Sequence, residues 1–276
     1  MAAPPPNPRR RRARLRWQQR VGLPLIALIV GVAALSLVWT PHPPNAQDLD
    51  NSLLPPVTNQ AFVLGTDLNG RDLLSRVMVG AQASLLVGLM SVLIGGIIGI
   101  SLGLLAGYFG GWPDSLIMRL VDIQLSLPGV LLAIALLAGI GKGLWNVVLV
   151  LGFVSWVQYA RLVRGSTLST RDREYVLSAR ALGASHARIM TRHILPNIAG
   201  PLLVVATINI STNILSEAAL SYLGVGVPLS TVTWGGMLNE GKQVFQVAWW
   251  NAVWPGLAIL ITVFGTNLLG DGLNAE

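Results

Sequence analysis

Side chains able to do chemistry are scarce in this sequence, and they fall into three groups. The densest is Arg171 to Asn197, RDREYVLSARALGASHARIMTRHILPN, which holds five Arg, two acids and two His between long apolar runs. A second group follows in the next apolar run. There Asn209, Asn213, Ser216 and Glu217, at i, i+4, i+7 and i+8, fall near one helical face. The third is Arg119 with Asp122, spaced i, i+3 within another apolar run. Charges in lipid are costly unless paired, so a structural ion pair is favoured there over a substrate contact. None of the three has the spacing of a catalytic constellation. The sequence lacks GxxxxGK[ST], HExxH and GxSxG. Gly141-Lys142-Gly143 comes nearest to a phosphate loop and has neither the upstream Gly nor the hydroxyl. No cysteine is present, and His42, His186 and His193 are too scattered for a metal site.

The elements that must hold these groups are membrane helices. The 276 residues are 53% hydrophobic and 11% charged, with mean hydropathy +0.61. A soluble domain carries about 25% charged residues, so this chain cannot cover a soluble surface. Six apolar runs are long enough to span: 21–39, 83–108, 115–140 (broken at Pro128-Gly129), 144–163, 198–223 and 249–269. The first is longer than a secretory signal core and reads as an uncleaved span. Before it, residues 1–20 form an Arg-rich head that reads as a disordered tail against anionic headgroups. Residues 40–80 are polar and Pro-rich. Leu73, Leu74, Val77 and Met78 in that stretch have the period of an amphipathic helix lying near the interface. Glycines in the second span permit close helix approach, and Trp249, Trp250 and Trp254 resemble an interfacial belt.

Orientation follows from the cations. With the Arg-rich head inside, fifteen of the nineteen Lys and Arg fall on the cytoplasmic side, and only Arg71, Arg76, Lys142 and Lys242 face out. Both termini are then cytoplasmic, as is the polar segment 165–197. The net charge of +7 is thus explained by membrane topology rather than nucleic acid. All-α, six-span architecture is the expected fold, with a five-helix core over residues 81–273.

Within the polar segment, Asp172 is placed to cap a helix from Glu174 to Leu182. Tyr175, Ala179 and Leu182 share one face of that helix, with Arg173 and Arg180 on the other. Gly183 allows a sharp turn. A second basic helix, Ser185 to Ile194, is then expected to stop at Pro196. Ala181 and Ala184 keep the turn narrow enough to enter a cleft on another protein. A solvated positive-inside loop with no partner is the other reading. On the next span, polar residues face the bundle interior. There they serve either interhelical hydrogen bonds or a translocation path, and Glu217 either attracts a cation or pairs with a partner subunit.

EYVLSARALGAS with RHILPN resembles the cytoplasmic signature of ABC-importer permeases, in the form found in the dipeptide/oligopeptide/nickel branch. Of the general pattern only Ala179, Gly183 and Leu195-Pro196 are kept. LGTD at 64–67, GRDLLSR at 70–76, EAALSYLGVGVPLSTVTWGGML at 217–238 and PGLAILITVFGTNLLGDGL at 255–273 are similar to the same branch. The resemblance covers about residues 22–273, and the tail after GDGL is short.

The resemblance implies a type I ABC importer permease fold and a "C"-type permease of a bacterial cytoplasmic membrane. Such a subunit pairs with a second, related permease and two ATP-binding subunits or a fused ATPase, and an extracytoplasmic binding protein delivers its peptide cargo. ATP and Mg belong to the ATPase, and this chain carries no cofactor. Glu174, Tyr175, Ala179, Arg180, Ala181, Leu182, Gly183, Ala184 and Pro196 would form the coupling element. Gly65, Thr66, Asp67, Gly70, Arg71, Asp72 and Trp234 would meet the binding protein or cap the path, with a packing role for the glycines and Trp234 as the other reading. The scaffold also suits nickel, haem or an antimicrobial peptide. Rivals of other classes are a proton-driven carrier working through Asp122 or Glu217 and a non-transporting membrane scaffold.

Overall fold

In the computed structural model the chain is described from residue 8 to residue 273, with side chains from residue 17. The first helix, α1 (Pro8–Leu35), already includes most of the Arg-rich head expected to be disordered. Arg is a good helix former, and extending an apolar helix needs no new nucleus. Residues 1–7 of that head lie outside the described residues.

After an irregular segment, Asp72 caps α2 (Leu73–Phe109) by accepting a hydrogen bond from the Ser75 amide at 2.9 Å. The amphipathic stretch at 73–78 is therefore the first part of the second span and not a separate interfacial helix, so the boundary expected at residue 80 falls inside a helix. At 37 residues α2 is about 55 Å long and overshoots a hydrocarbon core of about 30 Å.

The third apolar run splits into α3 (Gly111–Leu125) and α4 (Gly129–Ile140), which meet at 90°. Pro128 bars helical backbone at Leu127 and supplies no N–H. Next come α5 (Leu144–Thr170), α6 (Glu174–Ala181) and the short α7 (His186–Arg188). The run closes with α8 (Ala199–Tyr222), α9 (Trp234–Val244) and α10 (Trp250–Leu273). Among the described residues, five helical segments are long and apolar enough to cross a membrane, and the bent α3–α4 pair, taken as one span, makes six. The fold is all-α and multi-pass.

Pro196 does not end a helix as expected. A wide π turn over Ile189–Ile194 and a 3-10 turn over Leu195–Ile198 carry the chain through it into α8. These changes of pitch remove the clash that a proline ring makes with an ordinary α-helical turn before it.

α2 lies along α5, α8 packs on α2 and α10, and α1 rests on α10. The α2–α5 contact depends on Gly95, Gly99, Gly103 and Gly107, one helical turn apart. A Cβ at Gly103 would stand 2.7 Å from the Ala160 carbonyl oxygen, and one at Gly99 would strike the Trp156 carbonyl. Gly96, on another face, has no atom within 4 Å of that position. Gly99→Ala is expected to lower the thermal midpoint of the purified protein by the equivalent of about 1–2 kcal/mol, as overpacking does. Gly96→Ala, measured alongside, should match or exceed the parent.

Candidate functional site

The segment between α5 and α8 is a braced projection. Arg171 donates to the Gly107 carbonyl at 2.9 Å and so fastens the end of α5 to the end of α2. In α6 the anchor is Val176, fully buried, in one apolar cluster with Tyr108, Val163, Ile189 and Ile194. At the tip Gly183 takes φ +82°, the left-handed conformation that glycine adopts without strain. Ser185 then caps α7 by accepting from the Arg188 amide. Tyr108 closes the brace from α2: its hydroxyl lies 2.8 Å from His186 Nδ1, and the Arg180 guanidinium sits 5.5 Å above its ring. Asp172 does not cap α6. Arg173 holds the cap position, and Asp172 pairs with Arg171 at 3.5 Å.

What this brace presents is apolar at its end. Leu182 is 88% exposed, Tyr175 and Leu177 are also exposed, and Glu174, Arg180, Ala181 and Gly183 surround them. Ala179 and Ala184 are half-buried, and Pro196 is exposed farther along. Nothing inside the chain is gained by holding a leucine in water on a rigid stalk. Tyr108, His186 and Val176 were not legible as its supports. The aromatic end of α2 lies far away in sequence, and Val176 hides within a short polar helix.

On α8, Asn209, Asn213 and Ser216 line a cavity of about 210 Å³ bounded by α4, α5 and α8. Glu217 departs from that face. It is fully buried on the α2 side, where Ser221 donates to it at 2.7 Å and Ser84 lies 3.5 Å away. Eight residues along a helix amount to an offset of about 80°, enough to turn its carboxylate out of the cavity. The pair expected between Arg119 and Asp122 is absent as well. Asp122 pairs with Arg161 of α5 at 2.7 Å, and Arg119 is exposed with no ion pair among the described residues. The polar stripe of α3 runs toward α5: Gln124 donates to the Val154 carbonyl at 2.9 Å and accepts from Trp156 at 2.8 Å.

In the segment before α2, the residues expected to meet a binding protein or cap the path form a buried latch. Gly65, Thr66, Asp67, Gly70, Arg71, Asp72 and Trp234 are all buried. Asp67 pairs with Arg71 at 2.6 Å, while Glu240 of α9 takes Arg71 at 2.9 Å and Arg76 at 2.6 Å. Burial works against the Arg71 charge, but its bond to Glu240 and the charges of Asp67 and Glu240 outweigh it, and its pKa stands raised. Trp234 donates from its ring to the Val77 carbonyl at 3.0 Å. Trp250 and Trp254, expected in an interfacial belt, instead donate to the carbonyls of Thr66 and Leu64, and only Trp249 is exposed. The segment must bond its backbone somewhere, and indole donors from α10 satisfy it. Glu240 escaped the sequence reading. It lies 169 and 164 residues from Arg71 and Arg76, and the two aspartates nearby already match the two arginines in number.

Comparison with known proteins places these features in a family. A family model described as "Binding-protein-dependent transport system inner membrane component" matches residues 99–275. The chain is 45% identical over 254 residues to the di/tripeptide transport system permease protein DppC of Pseudomonas aeruginosa (strain UCBPP-PA14), covering 90% of this chain and 84% of that protein. It is 42% identical over 268 residues to the probable D,D-dipeptide transport system permease protein DdpC of Escherichia coli (strain K12), covering 95% and 89%. The glutathione transport system permease protein GsiD of Pectobacterium atrosepticum is 42% identical over 255 residues, covering 90% and 85%. Among solved structures, an inward-facing form of the MetNI methionine ABC transporter aligns with TM-score 0.58 at 20% identity, over 71% of this chain and 93% of that one. At that identity the likeness is one of fold.

Proposed function

From the premise that this chain belongs to the binding-protein-dependent transport system inner membrane component family, we propose that it is the permease subunit of an ATP-driven importer of di- and oligopeptides. Together with a second permease it forms the path through a bacterial cytoplasmic membrane, both termini facing the cytoplasm. An extracytoplasmic binding protein delivers the peptide, and ATP with Mg is bound and hydrolysed in partner ATPase subunits. The chain itself performs no catalysis. Peptide cargo rests on the relatives, whose names specify di/tripeptide, D,D-dipeptide and glutathione transport.

The observation that carries the coupling role is the projection tipped by Leu182. A lever must be stiff, and this one is braced by Val176 in the core and by Tyr108 against His186 and Arg180. It must also grip, and an exposed leucine at the tip suits a cleft with an apolar floor. Movement of the ATPase subunits would pass through α6 and the π turn into α8, which lines the cavity. The proton-driven carrier fits less well, because Glu217 is enclosed by Ser84 and Ser221 and Asp122 is held in an exposed pair with Arg161.

The test is reconstitution of the two permeases and their ATPases in proteoliposomes, with loaded binding protein outside and ATP inside. Peptide uptake is expected only with ATP and binding protein together. Uptake driven by a proton gradient in the absence of the ATPases would overturn the reading.

A further inference from the structure

Residues 51–66, beside the latch, read NSLLPPVTNQAFVLGT and hold no charged side chain. The stretch is fastened at its feet. The Leu54 amide donates to the Thr66 hydroxyl oxygen at 2.8 Å, and the Thr66 amide donates to the Leu54 carbonyl at 3.1 Å. Phe62 is buried and stacks on His42, with ring centroids 4.8 Å apart. Between these anchors the Val57 amide donates to the Val63 carbonyl at 3.2 Å and closes a small loop. At its tip Val57, Thr58, Asn59, Gln60 and Ala61 are all exposed, Val57 at 84%. The Val57 backbone stands at φ +65°, and Leu53, where the loop begins, at +55°. Among the described residues these two are the only ones besides glycines with positive φ.

A β-branched residue in the left-handed region is strained, because its Cβ crowds its own backbone. Asparagine or glycine takes that conformation more readily. Such strain persists only where surrounding structure holds it, as the anchored feet do here. Yet the side chain so displayed contributes nothing to this chain, since it stands in water. A contact made with another molecule would offset the strain. The composition of the loop narrows that molecule. Anionic lipid headgroups are gripped by Lys and Arg, and the interface by exposed aromatics. Residues 51–66 have no cation, and their one aromatic, Phe62, is turned inward. An apolar side chain ringed by Thr58, Asn59 and Gln60 has the apolar centre and polar rim of a protein contact. A permanent subunit buries a larger and more apolar surface, so a knob of this size suits a partner that arrives and leaves.

We propose that the loop tipped by Val57 docks the extracytoplasmic binding protein, with Val57 entering a shallow apolar depression and Thr58, Asn59 and Gln60 hydrogen-bonding at its rim. This rests on the reading of the chain as an importer permease with both termini in the cytoplasm, which places the loop outside. The docking role thereby passes from the buried latch residues to the exposed loop next to them.

Val57→Asn separates docking from folding, because the two expected effects have opposite sign. Asparagine tolerates the backbone conformation, so the melting midpoint in detergent should match or exceed the parent's. It also removes the apolar contact. In the reconstituted importer, the concentration of loaded binding protein that gives half-maximal uptake is expected to rise by about tenfold, with the maximal uptake kept. Val57→Ile retains the apolar knob and should behave as the parent does. An unchanged half-maximal concentration in Val57→Asn would overturn the docking role, and so would a lowered midpoint with unchanged uptake, which would make Val57 a part of the fold alone. Should Val57→Asn fail to assemble, crosslinking carries the same expectation. The chain has no cysteine, so Val57→Cys introduces a single thiol. A short photocrosslinker on that thiol should capture the binding protein when it is present. Capture of the second permease alone, or of lipid alone, would overturn the proposal. A membrane-impermeant maleimide should reach the same thiol from outside the cell. Labelling only from the cytoplasmic face would sink the orientation and the proposal with it, and uptake by the parent that needs no binding protein would sink the importer reading itself.

Discussion

Leu182→Glu is expected to reduce ATP-driven uptake by about tenfold to a hundredfold while the permease stays as stable as the parent. The two halves of this outcome come from the same fact, that the side chain is 88% exposed in the isolated chain. Its removal takes nothing from the fold. On docking it would pass from water into a partner's cleft, and burying a leucine contributes about 1.5–3 kcal/mol, which is tenfold or more in an equilibrium constant. A glutamate there forfeits that contribution and carries a charge into an apolar site. Leu182→Met, similar in volume and polarity, should behave like the parent. Co-purification of the ATPase subunits, uptake and melting midpoint are the three readouts. Full uptake by Leu182→Glu would sink the docking role. Gly183→Asp makes a second probe. A Cβ at Gly183 meets no atom within 4 Å, so its cost in the free chain is the strain of φ +82° alone. Val176→Asp differs in kind, because that residue is fully buried and its loss should collapse the projection itself.

Much of the scaffold was legible because lipid leaves few choices. Backbone in a bilayer must be helical, so apolar length, the Pro128-Gly129 break and the glycine spacing of α2 reported spans, a kink and a close contact directly. The turn at Gly183 was readable for a similar reason, as one residue type suits its backbone. Partner choice was not legible. Asp122 had a cation three residues away on its own helix, and geometry gave it Arg161 of α5 instead. Sequence spacing shows which side chains can meet along one helix and is silent on what a neighbouring helix offers. Pro196 misled for a second reason. A proline normally ends a helix, but one preceded by a π turn need not, and nothing in the local composition announces that turn.

The residues expected outside show how a specific motif can turn its side chains inward. The stretches LGTD and GRDLLSR looked like a surface for a partner because they are polar and the cation distribution put them outside. Polar residues outside a membrane are usually solvated, and these are buried, with Thr66 inaccessible and Arg76 at 2%. Their chemistry is turned inward. The backbone carbonyls of Leu64 and Thr66 accept from the indoles of α10, while the guanidiniums of Arg71 and Arg76 reach across to α9. The segment thereby ties together helices that are far apart in sequence, at the end of the molecule opposite the projection. Under the proposed coupling, motion entering at the projection would need such a tie, since otherwise α2, α9 and α10 could slide separately.

Glu240→Ala should therefore be the most destabilising single change outside the core, at about 3 kcal/mol, near the low end of what breaking a buried ion pair costs. One carboxylate serves two guanidiniums in the native latch: Arg71 at 2.9 Å and Arg76 at 2.6 Å. Asp67 also holds Arg71 at 2.6 Å but approaches Arg76 only at 3.6 Å. Without Glu240, two buried cations share a single anion and Arg76 loses its close partner. Glu240→Gln keeps hydrogen-bonding capacity and loses the charge, so its effect should be intermediate. The double variant Glu240→Met with Arg76→Met restores one cation to one anion, Arg71 with Asp67, and should recover much of the loss. That non-additivity distinguishes a charge imbalance from damage to α9 packing. Melting midpoints in detergent give the energies, and limited proteolysis of residues 40–72 reports whether the segment has come free. If Glu240→Ala melts with the parent and the segment stays protected, the latch contributes nothing and the outer ends of α2 and α9 are held by apolar contacts alone.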